Sequence, residues 1–384
     1  MSEAQSKLRI GIAGGGPRCL SYVRSLAQID RAQVVAADPH HPLAHEISRL
    51  VPGLALKQDA FTLISSSDVD AVLFSEPVGD LFSLLKRALL CNKHIMASSA
   101  SSISSRQLRE LSRLAGKQAR LLIFAEERLF HPALVFLRRM LSAKSGLWHP
   151  QYLRALSIPG TSNGNTLPIA SLALEELALC ARLIEAHPEA VSAVACHAPG
   201  HAEPVAMFLN LTYGEGKVAS LQLSLAEAQE ARQWALTTVS KTALVDECDP
   251  RAPLKIISSN SAAIANSLLR ADPPVPLSDW PGESTITPPV IPADPTTEQC
   301  HHFAESALKR DLNQSNARFW AEVASAWEAA ERSMALSGMP VNVAAALGSE
   351  QDQARGRPKL RLIRGRGMGS VGDGKRPALT VVSR

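Results

Sequence analysis

The stretch from Leu8 to Asp38, LRIGIAGGGPRCLSYVRSLAQIDRAQVVAAD, constrains this chain more than any other. An apolar run, Leu8 to Ala13, breaks at Gly14-Gly15-Gly16. Leu20, Val23 and Leu26 follow at helical spacing, and a second apolar run, Val34 to Ala37, ends in Asp38. Strand, glycine turn, helix, strand and acid in that order are the parts of a dinucleotide-binding βαβ unit. Glycine permits the tight turn and lets a pyrophosphate approach main-chain N–H groups. The helix that follows aims its positive end at that phosphate. An acid about 20 residues downstream accepts hydrogen bonds from a ribose. Gly14 and Gly16 take the first two glycine positions, with Gly15 between them, and Cys19 stands at the third. Cysteine is small enough for helix and strand to pack closely. Pro17 presets φ near the first helical turn. Arg18 either touches a phosphate or faces water.

Beyond Asp38 the alternation continues. Ala71 to Phe74 (AVLF) reads as a buried strand, followed by a helix with Leu81, Leu84, Leu85, Ala88 and Leu89 on one stripe. That helix stops at Cys91-Asn92, where asparagine tolerates a left-handed conformation. His94 to Met96 is the next strand. Ser104 and Gln107 form a capping-box pattern before a helix closed by Gly116. Leu121 to Ala125 is the last strand of this series. Strands alternating with helices imply a parallel sheet covered on both faces, with ligands beyond the carboxyl ends of its strands.

After about Glu127 the texture changes. Helices are expected over Pro132 to Leu141 and from about Ala170 to Glu185, with a strand near Tyr152 to Ile158 between them. Strand-like runs then follow one another: Ala190 to Cys196, Val205 to Tyr213, Val218 to Leu225, Trp234 to Val239 and Lys255 to Ile257. Strands without helices between them suggest a largely antiparallel sheet. Pro273 to Pro295 reads as an extended connector. Phe319, Val323, Ala326, Ala330 and Met334 then mark a helix ended by Gly338 and Pro340. From Gly348 the chain reads as a disordered tail carrying Arg355, Arg357, Lys359, Arg361, Arg364, Arg366, Lys375, Arg376 and Arg384. Such a tail is either a solvated extension or an RNA-binding segment.

Length and charge limit the alternatives. With 384 residues the chain has room for two domains. A net charge of +4 is too small to argue for nucleic acid. Six scattered cysteines without a C-x-x-C suit reduced thiols in a cytoplasm. The start, MSEAQSKLR, has no apolar signal core, and no apolar run is long enough to span a bilayer. Cys300, His301 and His302 are adjacent on a helix and so point in different directions, which argues against a metal site.

Several segments together resemble the Gfo/Idh/MocA family: GIAGGG; Ala37-Asp38-Pro39; DAVLFSEP with its helix; NKHIM; RLFHPAL at Arg128 to Leu134; and HHFAESAL. The resemblance covers Leu8 to Val343. It implies an N-terminal Rossmann domain (a doubly wound parallel sheet) over residues 1–126. A C-terminal α/β domain with a largely antiparallel open sheet would occupy 127–347, and the tail 348–384. It further implies a homodimer or tetramer through that open sheet, NAD or NADP, and hydride transfer at a small sugar- or polyol-like substrate. Membrane and nucleic-acid partners are not expected. Gly14, Gly15, Gly16, Arg18 and Asp38 would hold the cofactor, and Glu76 and Pro77 stand at cofactor-contact positions. Asp38 favours NAD over NADP, because a carboxylate opposes a 2′-phosphate.

Two departures bear on the chemistry. Members carry Glu-Lys-Pro where this chain has Ser98-Ser99-Ala100, so Ser99 takes the lysine position. Their Asp-x-Gly-x-His-x-x-Asp pattern aligns with Ser171, Ala173, Glu175 and Ala178, which puts Glu175 at the histidine. Removing a hydride from a carbinol requires a proton acceptor, worth on the order of 100- to 10,000-fold in rate. Serine has no useful basicity. Glu175 is therefore the candidate acid–base group, provided burial raises its pKa. Glu126 and Glu127, at the end of the last parallel strand, either share a proton, bind a cation or are simply solvated. The alternative to an enzyme is a catalytically inactive nucleotide- or sugar-binding member of the same family with a regulatory or structural role.

Overall fold

The structure is a computed structural model, and it describes residues 7–15, 17–38, 43–75, 78–142, 149–160, 168–200, 203–238, 241–258 and 284–344. The first half runs β1 (Leu8–Gly14), α1 (Pro17–Ala27), β2 (Ala32–Ala37), α2 (Ala44–Leu50), β3 (Ala55–Leu56), α3 (Ala60–Ser65), β4 (Ala71–Ser75), α4 (Leu81–Leu90), β5 (His94–Ala97), α5 (Ser105–Gln118) and β6 (Leu122–Phe124). Among the described residues its strands form a six-stranded parallel sheet in the order β3-β2-β1-β4-β5-β6. This is the doubly wound arrangement, which reverses between β1 and β4. The AVLF run is apolar throughout because both of its faces are covered. Ala71 and Leu73 pack in the layer that holds α1, while Val72 and Phe74 pack in the layer that holds α3, α4 and α5.

Local chemistry sets the helix ends. Asp59 and Asp80 accept from the backbone N–H groups of Thr62 and Ser83 and so cap α3 and α4. Ser104 and Gln107 close the expected capping box on α5. Asn92 takes φ 59° just beyond α4, as its side chain permits. Gly116 does not end α5. The helix continues to Gln118, and Ala119 adopts the left-handed cap at φ 50°. Leu108, Leu111 and Ala115 keep this last turn on the sheet, so packing overrides the glycine signal.

A 3-10 turn at Glu127–Phe130 leads from the first sheet to α6 (Pro132–Ser142), β7 (Tyr152–Ile158) and α7 (Ile169–Ile184). Then come β8 (Ala190–His197), β9 (Pro204–Thr212), β10 (Val218–Ser224), β11 (Ala231–Thr237), β12 (Lys241–Asp246), β13 (Leu254–Ser258) and β14 (Ser284–Ile286). The chain continues with α8 (Pro295–Lys309), α9 (Ala317–Ala335) and β15 (Val341–Asn342). The second sheet runs β14-β13-β12-β11-β7-β10-β9-β8-β15, antiparallel except where β7 and β10 lie parallel. Helices α7 and α9 share one core with its inner face, through Leu172, Leu183, Trp320 and Ala329. The outer face carries exposed Tyr152, Val194, Phe208 and Val218. Sequence patterning shows most of this sheet but passes over β12, β14 and β15. Much of the expected proline-rich connector, and the whole basic tail, lie outside the described residues.

One helix crosses back. Cys300, Phe303, Ala304 and Ala307 of α8 are buried against Tyr22, Val23 and Leu26 of α1 and Ile12 of β1. The layer that covers the first sheet is thus completed by a segment from the far end of the described chain. Among the described residues, no helix is long and apolar enough to cross a membrane.

His94, at the start of β5, is buried and its Nδ1 accepts from the Leu121 N–H at 3.1 Å. Burial, with Arg120 and Arg310 nearby, pushes it down from 6.5 to about 4. Below 6.5 the unfolded chain takes up a proton that the folded chain does not, so stability falls as pH drops from 6.5 towards 4. The loss should reach about 3 kcal/mol. Urea titrations at several pH values should show this slope in the wild type and its loss in His94→Asn.

Candidate functional site

The glycine turn is built where three strand ends meet. Gly14 has φ +91°, and a Cβ there would stand 2.0 Å from the Ser75 carbonyl oxygen. Only glycine fits both the conformation and the approach. Gly15 donates its N–H to the same carbonyl at 3.1 Å, and the Asp38 N–H donates to Ile12 O at 3.0 Å. The carboxyl ends of β1, β2 and β4 are therefore tied together, with Asp38 half-buried at the end of β2. The Ser75 hydroxyl is buried here and has no hydrogen-bond partner among the described residues. The first turn of α1, Pro17 to Leu20, contains no acid. A glycine cradle, an orphaned hydroxyl and an acid-free helix start suit an anionic diphosphate. Gly16, Glu76 and Pro77 lie outside the described residues.

A cavity of about 210 Å³ opens beside the first turns of α1, lined by Arg18, Tyr22, Glu126, Glu127, Glu175 and Arg232 among others. Its walls come from α1, the end of β6, α7 and β11. Arg18 Nη2 donates to Glu175 Oε1 at 2.7 Å and so ties α1 to α7. Burial alone raises the Glu175 carboxyl, but Arg18, Arg128 and Arg232 draw it below its usual range. The expected upward shift is not present in this state. Burial opposes the charge on Arg18, but Glu175 and Glu127 hold it protonated.

Glu126 and Glu127 do not act as a pair. Glu126 accepts from Arg182 at 2.9 and 3.2 Å and from Asn316 Nδ2 at 2.9 Å. Asn316 also exchanges both its amide bonds with Phe124, and Arg182 lies 3.7 Å from the centre of the Phe319 ring. Glu127 turns the other way and accepts from the Tyr22 hydroxyl. The backbone leaves its strand conformation here, with Glu126 at the cap position of the 3-10 turn that Glu127 begins, and the two side chains part.

Nothing in the sequence marks Arg128 for a special role, yet it is a buried hub. It donates to Glu176 and to Glu247, the latter at 2.6 Å, and its guanidinium sits 5.6 Å from the Trp234 ring centre. Burial pushes the Glu176 carboxyl up, and the Glu247 charge adds to the rise against Arg128. The partners are 48 and 119 residues away, too far for any local pattern to announce. Ser99, at the lysine position, turns into its own loop, where it accepts from the Ser101 N–H at 3.0 Å. On α8, His301 lies 4.0 Å from Glu305 while the His302 ring packs on Phe130. The two histidines diverge as their adjacency on a helix requires.

No family model matches the chain, and no curated protein sequence does. Solved structures do match. UDP-N-acetylglucosamine 3-dehydrogenase GnnA from Acidithiobacillus ferrooxidans superposes with a TM-score of 0.70 at 18% identity, over 85% of this chain and 97% of that one. Levoglucosan dehydrogenase, in complex with NADH and L-sorbose, gives 0.70 at 14% identity over 88% and 99%. A point mutant of KijD10, a 3-ketoreductase from Actinomadura kijaniata, in complex with TDP-benzene and NADP, gives 0.70 at 16% over 85% and 98%. The fold is that of Gfo/Idh/MocA-type oxidoreductases. At these identities the likeness extends to architecture alone.

The Arg128 hub provides a test of the site's framework. Arg128→Met leaves Glu176 and Glu247 buried without their cation and should cost about 3–5 kcal/mol. Replacing all three residues with apolar ones should recover most of that loss. Urea denaturation of the two variants reads both outcomes.

Proposed function

We propose that this chain is a nicotinamide-dinucleotide-dependent oxidoreductase of the Gfo/Idh/MocA type, acting on a small sugar- or polyol-like substrate. The observation that carries the reading is the cavity itself. Arg18, Ser21 and Tyr22 of α1, the helix that follows the glycine turn, line it together with the Glu175 carboxylate of α7. The structural neighbours crystallised with NADH or NADP support a nicotinamide cofactor. Asp38 favours NAD, since its carboxylate suits a ribose 2′-hydroxyl and opposes a 2′-phosphate.

The turn amides and the start of α1 would hold the diphosphate, and Asp38 the adenosine ribose; Gly16, Glu76 and Pro77 complete the assignment made from sequence. When bound, the cofactor supplies or accepts the hydride. This chain's part is to place the substrate in the cavity and to handle the hydroxyl proton at Glu175. Trp320 and Leu179 give the cavity an apolar side. The outer face of the second sheet, with Tyr152, Phe208 and Val218, would join copies into a homodimer or tetramer. The six cysteines, all among the described residues, form no disulfide, which suits a reducing cytoplasm. A second reading, an inactive nucleotide- or sugar-binding member, draws its support from Ser99 at the lysine position and from the Arg18–Glu175 pair.

Fluorescence titration with NADH should saturate, and Asp38→Ala should weaken NADH binding about tenfold while affecting NADPH less. NADH oxidation over a panel of keto-sugars and inosoles should then find turnover. Binding without turnover on a broad panel supports the inactive member, and no binding at millimolar NADH removes the enzyme reading.

A further inference from the structure

Arg18 occupies a position with two claims on it. It is the second residue of α1, next to the glycine turn, yet its guanidinium reaches across the cavity to Glu175 of α7. Through Nη2 it makes that bond, and among the described residues its other N–H groups make none. The pair is only partly sheltered, with side chains 36% and 22% exposed. Among the described residues Glu175 has no comparable second partner. Arg128, the nearest strong competitor, is committed to Glu176 and Glu247. Arg232 lies 3.8 Å from Glu230. Tyr22 and Glu127 also line the cavity and are bonded to each other.

We propose that Arg18 is exchanged: the cofactor's diphosphate takes it from Glu175, so that dinucleotide binding releases the acid–base carboxylate. The proposal rests on the dinucleotide reading above. A diphosphate carries about two negative charges where Glu175 carries one, and arginine binds phosphate oxygens in bidentate geometry. Helix α1 presents its positive end to the same anion, which strengthens the phosphate's claim. In the state described here, Arg18 holds Glu175 ionised and occupied, a poor arrangement for accepting a proton. Once Arg18 turns to the diphosphate, Glu175 faces the cavity with only the longer-range charges of Arg128 and Arg232. Cofactor would then have to bind before substrate chemistry can start.

The exchange has a reciprocal signature in binding. If dinucleotide must break the pair, removing the carboxylate's charge must help dinucleotide bind. Titration of the full chain with NADH should find Glu175→Gln binding about fivefold more tightly than wild type, the worth of a partly exposed ion pair. Glu175→Asp, which keeps the charge, should bind within about twofold of wild type. Arg18→Gln should bind about tenfold more weakly. ADP-ribose, which has the diphosphate but no nicotinamide, should show the same gain with Glu175→Gln. Wild-type binding with no gain in Glu175→Gln overturns the exchange and leaves the dinucleotide reading intact. A gain with NADH alone overturns it too, because Arg18 would then answer to the nicotinamide ring. Absence of NADH and ADP-ribose binding in every variant removes the dinucleotide reading and this inference together.

Discussion

Three consecutive residues at the end of β6 fix the relation between the parts of the cavity. Glu126 is held by Arg182 of α7 and by Asn316 just before α9. Glu127 is held by Tyr22 of α1. Arg128 is held by Glu176 of α7 and by Glu247 beyond β12. Each charge is largely withdrawn from water, so each needs its partner in place. Such groups tolerate little rearrangement: a helix that slides leaves a buried charge unpaired at a cost of several kcal/mol. The position of α7, and with it Glu175, is therefore set by neighbours of the cavity and not by the cavity's own chemistry. Arg18–Glu175, a partly exposed pair, is the one proposed to change partners, while the drier pairs around it stay in place.

Much of the architecture was legible in the chain. The β1–α1–β2 unit is announced by its apolar runs and glycines, because strand period, helix period and turn chemistry agree there. The same agreement exposes α4, with Asn92 beyond it, and the capping box of α5. Where signals conflict, tertiary packing decides. Gly116 reads as a stop, but the apolar stripe beneath α5 carries the helix through it. Short edge elements were missed for a related reason. β3 and β15 have two residues each, too few to show any period. β12, KTALVD, is flanked by hairpin partners that supply the order its own pattern does not state.

The candidate site was less legible, and the reason is physical. Gly14 and Asp38 are marked by local requirements: a turn that no Cβ survives and an acid at a strand end. Ionic partners are chosen across 48 to 157 residues, and nothing near Arg18, Arg128 or Glu126 in the sequence names them. Sequence reading placed Glu126 and Glu127 side by side as a proton-sharing pair or as solvated ends. The change from strand to 3-10 turn sends them to different neighbours, and each becomes part of the frame. Glu175, singled out by its alignment, does line the cavity. Its protonation, however, depends on a guanidinium from the other end of the chain.

The helix α8 makes the two halves inseparable in a specific sense. Phe303, Cys300, Ala304 and Ala307 form the lid over α1 and β1, though they are synthesised long after the strands they cover. During synthesis this surface of the first sheet stays bare until α8 emerges, after strands β7 to β14 of the second sheet. A gene fragment stopping at the end of β6 would leave the sheet without this layer. Exchange of the distal half between relatives is open to evolution only where the α8 wedge travels with it or is rebuilt.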